Sequence, residues 1–235
     1  MRAVRWGIGT LGEVLVTVGA VLLLFVVWQL FWTDVEANRA QSSTVTTLER
    51  NFASQAEESR TQGVQPSAVR MGKAFAILRI PRFGADYARP VFEGTDHDTL
   101  TKGVGHYVGT AKPGEVGNFA IAGHRTTYGR PFSDIDRLRE GDKVIVETRN
   151  GFSVYAVVRH EIVPPTHTQT IAPVPDQPGA TPIASLLTMT ACHPKYSAAR
   201  RYVVFAALVK TYTRAQGVPP GDLVVPAGAS AARAA

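Results

Sequence analysis

The chain contains one cysteine, Cys192, and six histidines, His97, His106, His124, His160, His167 and His193. Cys192 ends an apolar run that begins at Ser185, and Arg201 opens the next, Arg201–Tyr–Val–Val–Phe–Ala. Both runs read as strands. If they pair antiparallel, the end of one lies beside the start of the other, so Cys192 and Arg201 share one mouth of the sheet. A guanidinium beside a thiol favours the thiolate or stabilises a developing oxyanion. Arg201 is preferred to Arg200 because it directly precedes the apolar strand.

A cysteine nucleophile also needs a proton shuttle. His124 follows the apolar run Asn118–Phe–Ala–Ile–Ala–Gly123 and so sits at another strand end, with Gly123 allowing close backbone approach. His193 adjoins Cys192, and neighbours on an extended segment point to opposite faces. His106 reads as a packing or hydrogen-bonding residue, and His160 and His167 as surface or loop residues. Zinc sites show close ligand pairs such as Cys-x2–4-Cys or His-x3–5-His, and none is present. No metal ligand and no cofactor are therefore expected. A buried, inert cysteine remains open on composition alone. Against it, exported proteins generally pair their cysteines or lack them, and a lone exported thiol is open to oxidation.

The elements that would position these residues belong to an exported protein. The 235 residues, 45% hydrophobic, suffice for one sizeable core plus an anchor. A net charge of +6 and a pI near 9.7 suit anionic surroundings. No dense basic run or aromatic-interleaved basic patch points to nucleic acid, which is not an expected partner. From about Gly7 to Trp32 the chain is apolar apart from Thr10, Glu13, Thr17 and Gln29, and its uncharged part matches the roughly 20 residues that span a bilayer. Trp28, Phe31 and Trp32 cluster at the far end, Arg2 and Arg5 precede, and Asp34 and Glu36 follow. The positive-inside rule then predicts a single-pass plasma-membrane protein with its N-terminus inside and its domain outside. A cleaved signal peptide is the alternative, but the apolar run exceeds the usual 7–15 residues.

Residues 1–33 are thus expected to form the cytoplasmic N-terminus and transmembrane anchor, and 34–70 a polar stalk holding the domain off the membrane. Residues 71–214 are the folded domain and 215–235 a disordered tail. Strands are predicted at Ala74–Ile80, Phe119–Gly123, Lys143–Thr148, Phe152–Val163, Ser185–Ala191 and Tyr202–Tyr212, with a hairpin at Arg149–Asn150–Gly151. The run from Tyr202 is apolar on both faces and should lie centrally in the sheet. Thr95 with Asp98, and Ser133 with Asp136, resemble capping boxes and predict two short helices. Mainly β structure with short helices suggests a closed or nearly closed β-barrel.

These residues match a known family. Thr188–Met–Thr–Ala–Cys192 resembles the sortase signature Thr-Leu-x-Thr-Cys, and Arg201–Tyr–Val–Val–Phe resembles the Arg-led strand that follows it. Gly103–Val–Gly–His–Tyr–Val–Gly–Thr110, with Gly117–Asn–Phe–Ala–Ile–Ala–Gly–His–Arg125, is similar to the segment ending in the sortase histidine. Cys192–His–Pro–Lys–Tyr–Ser197 resembles class E sortases of high-GC Gram-positive bacteria. The resemblance covers about Ala74 to Tyr212. It implies a sortase-type closed barrel of about eight strands and a membrane-anchored cysteine transpeptidase with His124, Cys192 and Arg201 as catalytic residues. Its substrates would be surface proteins with a C-terminal Leu-Ala-x-Thr-Gly type sorting signal. Cleavage between Thr and Gly would pass through a thioester, resolved by an amine from a peptidoglycan precursor. Tyr128, Ala191 and Tyr196 would line the substrate site. Met189 stands where Leu is usual, and Ala191 where Thr is usual, which removes a hydroxyl beside the cysteine.

Other readings remain. Papain-like peptidases place Cys before His in the chain, the reverse of the order here, and L,D-transpeptidases carry a Ser-x-Gly-Cys context that Thr–Ala–Cys192 lacks. A sortase-like barrel that lost activity and serves as a wall or membrane binding module is the non-enzyme alternative. Thiol reactivity separates it from an enzyme, because a buried structural cysteine is inert.

Overall fold

The structure, a computed structural model, describes residues 2–62 and 69–223; side chains at 2–10, 27, 29–31, 56–62, 220 and 223 lie outside the described residues. Eight strands close into a barrel: β1 (Ala74–Arg79), β2 (Ala88–Glu93), β3 (Val104–His106), β4 (Gly117–Ala122), β5 (Lys143–Thr148), β6 (Gly151–Val163), β7 (Ser185–His193) and β8 (Arg200–Thr213). Their order around the barrel is β1-β2-β3-β4-β7-β8-β6-β5. The β2–β3 and β4–β7 pairs are parallel and the other six antiparallel. Closure removes the open edges that a sheet would otherwise present.

Alternation of side chains along each strand fills the interior. Leu78, Phe119, Ile121, Val146, Leu187 and Met189 point into one buried cluster, with Phe132, Ile135 and Leu138 added from the β4–β5 connection. Burying each such side chain contributes about 1.5–3 kcal/mol before entropy is charged against it. The β5–β6 hairpin turns at Arg149 and Asn150, with Thr148 facing Gly151. A Cβ on Gly151 would meet the Tyr212 carbonyl oxygen, which is why glycine stands there. β8 lies between β7 and β6, and in a closed barrel every strand has two such neighbours, so none is more central than another.

Two strands have no alternating signature in the sequence. β2 contains Pro90, tolerated because at that point β2 pairs with β1 and the β2–β3 ladder begins only at Val91. β3 has only three residues. The caps also differ from expectation. Helix α2 (His97–Leu100) is capped by Asp96, not Thr95: the Asp96 carboxylate accepts from the Thr99 amide at 3.0 Å and the Thr99 hydroxyl at 2.6 Å. Ser133 caps nothing; Ile135–Arg137 is a single 3-10 turn without a side-chain cap.

Before the barrel runs one helix, α1 (Arg2–Gln62), of 61 residues. Where a stalk holding the domain away was expected, α1 lies against the barrel. Val45, Leu48 and Phe52 bury themselves on Ile77, which points outward from β1. Glu49 pairs with Arg79 at 2.5 Å, and the Arg214 guanidinium covers the Phe52 ring. Nearer the N-terminus, Leu11, Val14, Leu15, Leu22, Leu23 and Phe25 are exposed on all sides of α1. Among the described residues no helix is long and apolar enough to cross a membrane; the uncharged run includes 27 and 29–31, whose side chains are not described. At the other end, part of the expected tail is ordered. Val218 packs on the outer cluster of Ile145, Val154 and Tyr212, and the Tyr212 hydroxyl donates to Asp222 at 2.6 Å. Residues 63–68 of the expected stalk and 224–235 of the expected tail lie outside the described residues.

Candidate active site

β7 and β8 pair so that Cys192 directly opposes Arg201 and His193 opposes Arg200. Directly opposed residues share a face. Leu187, Met189 and Ala191 face the barrel core, as do Tyr202 and Val204. Cys192 and Arg201 therefore lie together on the outer face, at the end of the sheet. β4 supplies the third residue. It runs parallel to β7 with Ala122 beside Thr190, and the Gly123 amide donates to the Thr190 carbonyl at 3.1 Å. Continued by two residues, that register sets His124 level with Cys192 on the same face. Gly123 is needed at this junction, because a Cβ there would stand 2.8 Å from the Phe132 ring.

His124 is half-buried, and its Nε2 is shielded from solvent with no hydrogen-bond partner among the described residues. Burial, and then the charge of His97, hold its pKa below the ordinary histidine value. A neutral imidazole results near neutral pH, able to take a proton from a thiol. No carboxylate is bonded to His124 among the described residues. Asp134 pairs instead with Arg137 and Glu161 with Arg159. Cys192 is partly accessible and free of any disulfide. The Arg201 guanidinium donates through Nη1 to the carbonyls of Ala198 (2.9 Å) and Arg200 (3.1 Å), which tie it to the loop following Cys192.

The residues expected to line a substrate site divide. Tyr128 stands beside His124, ring centroids 5.0 Å apart. Tyr196 is 89% exposed in the β7–β8 loop, where it can meet a ligand freely. Ala191 differs from them: the residue is 3% exposed and packs into the barrel core. Tyr107, on the same outer face, bonds the Thr190 hydroxyl at 3.1 Å. His106 is a structural residue, fully buried with Nδ1 2.9 Å from Glu93 and Nε2 2.9 Å from the Thr110 hydroxyl.

Arg125 was not singled out in the sequence. It is 4% exposed, its Nη1 lies 2.9 Å from His193 Nδ1 and 3.5 Å from the Cys192 carbonyl, and its Nη2 pairs with Asp136 at 2.5 Å. A buried cation thus sits under the cysteine and braces its backbone. The signal was its place directly after His124; only the tertiary fold shows that the pair points to opposite sides. His193 faces away from Cys192, as alternation predicts. Away from these residues, Glu161, His167 and Asp176 bring three potential metal-ligating groups together, but Arg159 already bridges the two carboxylates.

A Sortase domain matches residues 78–209. The chain belongs to the sortase family. Sortases are cysteine transpeptidases, and the similarity is to class E. Sortase SrtE1 of Streptomyces coelicolor is 34% identical over 89% of this chain and 59% of its own length. Sortase SrtE2 of the same organism is 31% identical over 89% of this chain and 85% of its own length. The chain thus spans rather more than half of the first relative and most of the second. The crystal structure of Sortase E1 from Streptomyces coelicolor, with a tripeptide in the active site, superposes with a TM-score of 0.60 at 34% identity, over 67% of this chain and all of that one.

Proposed function

We propose that this sortase cleaves a Leu-Ala-x-Thr-Gly type sorting signal between Thr and Gly and transfers the Thr end to an amine. The observation that carries the reading is the pairing of Cys192 with Arg201 across β7 and β8, with His124 two residues beyond the end of the adjacent β4, whose register continued sets it level with Cys192. His124 takes the thiol proton, and the Cys192 sulfur attacks the Thr carbonyl carbon. The carbonyl oxygen becomes an oxyanion, which Arg201 stabilises once its fork swings from the loop carbonyls to the substrate. The C–N bond breaks as His124 returns its proton to the departing Gly amine, leaving a Thr thioester on Cys192. An incoming amine, from a peptidoglycan precursor, then attacks the thioester while His124 accepts its proton. The C–S bond breaks and the thiol is restored.

The exported, single-pass location is part of the same proposal. Leu11, Val14, Leu15, Val18, Leu22 and Phe25 are exposed around α1, the pattern of a helix whose partner is lipid. Anchoring there would concentrate the enzyme with sorted proteins and a lipid-linked amine donor. The test is an intact-mass measurement of the full chain in detergent, quenched after mixing with a Leu-Ala-x-Thr-Gly peptide. An adduct of the peptide's Thr fragment on Cys192, absent in Cys192→Ala, supports the reading. A chain that cleaves nothing and whose folded thiol resists alkylation is a binding module instead.

A further inference from the structure

The segment of α1 just beyond Trp32 touches the loop that carries Tyr128. The Gly129 amide donates to Asp34 Oδ1 at 3.1 Å, Arg130 Nε pairs with Asp34 Oδ2 at 3.0 Å, and Gln41 Nε2 donates to the Tyr128 carbonyl at 2.9 Å. Gln41 is 1% exposed, and its Oε1 has no partner among the described residues. A buried amide with one end unbonded costs stability, so its bond to the loop is the gain that offsets that cost.

The loop needs such a hold. Tyr128, Gly129 and Arg130 have φ of +53°, +75° and +48°, three successive residues in the left-handed region, two of them with side chains. Such conformations persist only where the surroundings over-determine them. From the barrel side, Tyr87 donates to the Pro131 carbonyl at 2.5 Å and Arg89 to the Gly129 carbonyl at 3.3 Å. The His97 ring packs edge-on against Tyr128, and from the other side α1 presses so close that a Cβ on Gly129 would stand 3.0 Å from Gln41 Nε2 and 3.1 Å from Asn38 Oδ1. The loop in turn sets Tyr128 against His124, and the Phe132 amide closes it back onto the His124 carbonyl at 3.0 Å.

We infer that α1 is a positioning element of the active site: Asp34 and Gln41 hold the 126–131 loop in its left-handed turn, so that Tyr128 stays packed on His124. The inference rests on His124 being the proton shuttle of the proposed reaction. It makes Asp34 and Gln41 positioning residues in a segment that otherwise reads as a spacer. It also fixes where the site sits. Asp34 is two residues past Trp32, about 3 Å along the helix, whereas the Phe52 contact lies roughly 27 Å further on. The catalytic mouth is therefore held at the end of the barrel nearest the apolar part of α1.

The test uses the full chain in detergent micelles with ring-labelled histidines. In Asp34→Ala/Gln41→Ala the His124 ring signals should move in the direction that Tyr128→Leu moves them, and kcat/KM for the sorting peptide should fall about ten- to a hundredfold. Asp34→Asn keeps an acceptor for the Gly129 amide and loses only an ion pair to Arg130, whose side chain is 49% exposed. It should stay within about twofold of wild type. Asp34→Ala and Gln41→Ala singly should each move the signals part of the way, which keeps the test open if the double variant folds poorly. Unmoved His124 signals with wild-type kcat/KM in the double variant would overturn the inference. A wild-type chain without transpeptidase activity would defeat the proposed function instead, and the ring signals would still report on the clamp.

Discussion

Cys192 and Arg201 occupy directly opposed positions of the antiparallel β7–β8 pair, with both side chains on the outer face of the barrel. Arg200 opposes His193, one step out of phase. The two arginines should therefore differ sharply. Arg201→Ala should lower kcat by about 10²–10³-fold, the usual effect of removing an oxyanion donor. Arg201→Lys should recover little, because a point charge does not reproduce the planar fork. Arg200→Ala should leave turnover near wild type. Steady-state kinetics on the sorting peptide check all three.

His124 is held below the ordinary histidine pKa by burial and by the charge of His97. Protonating His124 beside a charged His97 is unfavourable, so removing that neighbour makes it easier. His97→Gln should raise the His124 pKa and move the acid limb of the kcat profile to higher pH. The shift should be partial, since burial is the larger cause and remains. An NMR titration of the His124 ring, read against the pH–rate profile, measures it.

Arg125 and Asp136 make an asymmetric pair, the cation 3% and the carboxylate 41% exposed at the side chain. Asp136→Ala strands a buried cation and should cost about 2 kcal/mol, less than a fully buried pair because Asp136 is already partly solvated. Arg125→Met removes the charge and returns Asp136 to water, and should cost only about 1 kcal/mol. Activity should rank the other way, because only Arg125→Met removes the donor to the Cys192 carbonyl. Urea unfolding and peptide cleavage on the two variants separate these effects.

His106 is buried against Glu93, with its pKa lowered chiefly by burial, and His124 is lowered as well. The unfolded chain takes up protons on both as pH falls through about 6.5, before the folded chain does. Stability is thus full above that value and declines below it, until the folded pKa values are passed. His106→Gln should flatten part of this decline. Melting temperature measured from pH 7.5 to 5 tests the sign, and a melting temperature that rises on acidification contradicts it.

Much of the site was legible because alternation and antiparallel pairing are local rules. Cys192 at one strand end and Arg201 at the next strand start share a mouth whatever the rest of the fold does. His124 was legible from the strand before it, although its alignment with Cys192 depends on a parallel β4–β7 pairing that no local pattern encodes. β2 and β3 were hidden by a proline and by brevity. Ile77 misleads in a different way. It makes β1 apolar on both faces, which reads as a central strand, whereas its outer face is covered by α1. The packing of α1 was hidden because Val45, Leu48 and Phe52 are only three apolar residues among polar ones, and their partner surface lies elsewhere in the chain. Arg125 was hidden because burial of a charge is a tertiary fact, with its partners at Asp136 and His193 brought in by other elements.

The most direct measurement is transfer by the full chain in detergent. A fluorogenic Leu-Ala-x-Thr-Gly peptide is supplied with and without an added amine, beside Cys192→Ala and His124→Ala, and the products are identified by mass. The expected result is cleavage between Thr and Gly, a Thr–amine adduct when amine is present, and loss of both products in each variant. Absence of cleavage in the wild-type chain, for this peptide and its Leu-Pro counterpart, or cleavage that survives either substitution, would contradict it.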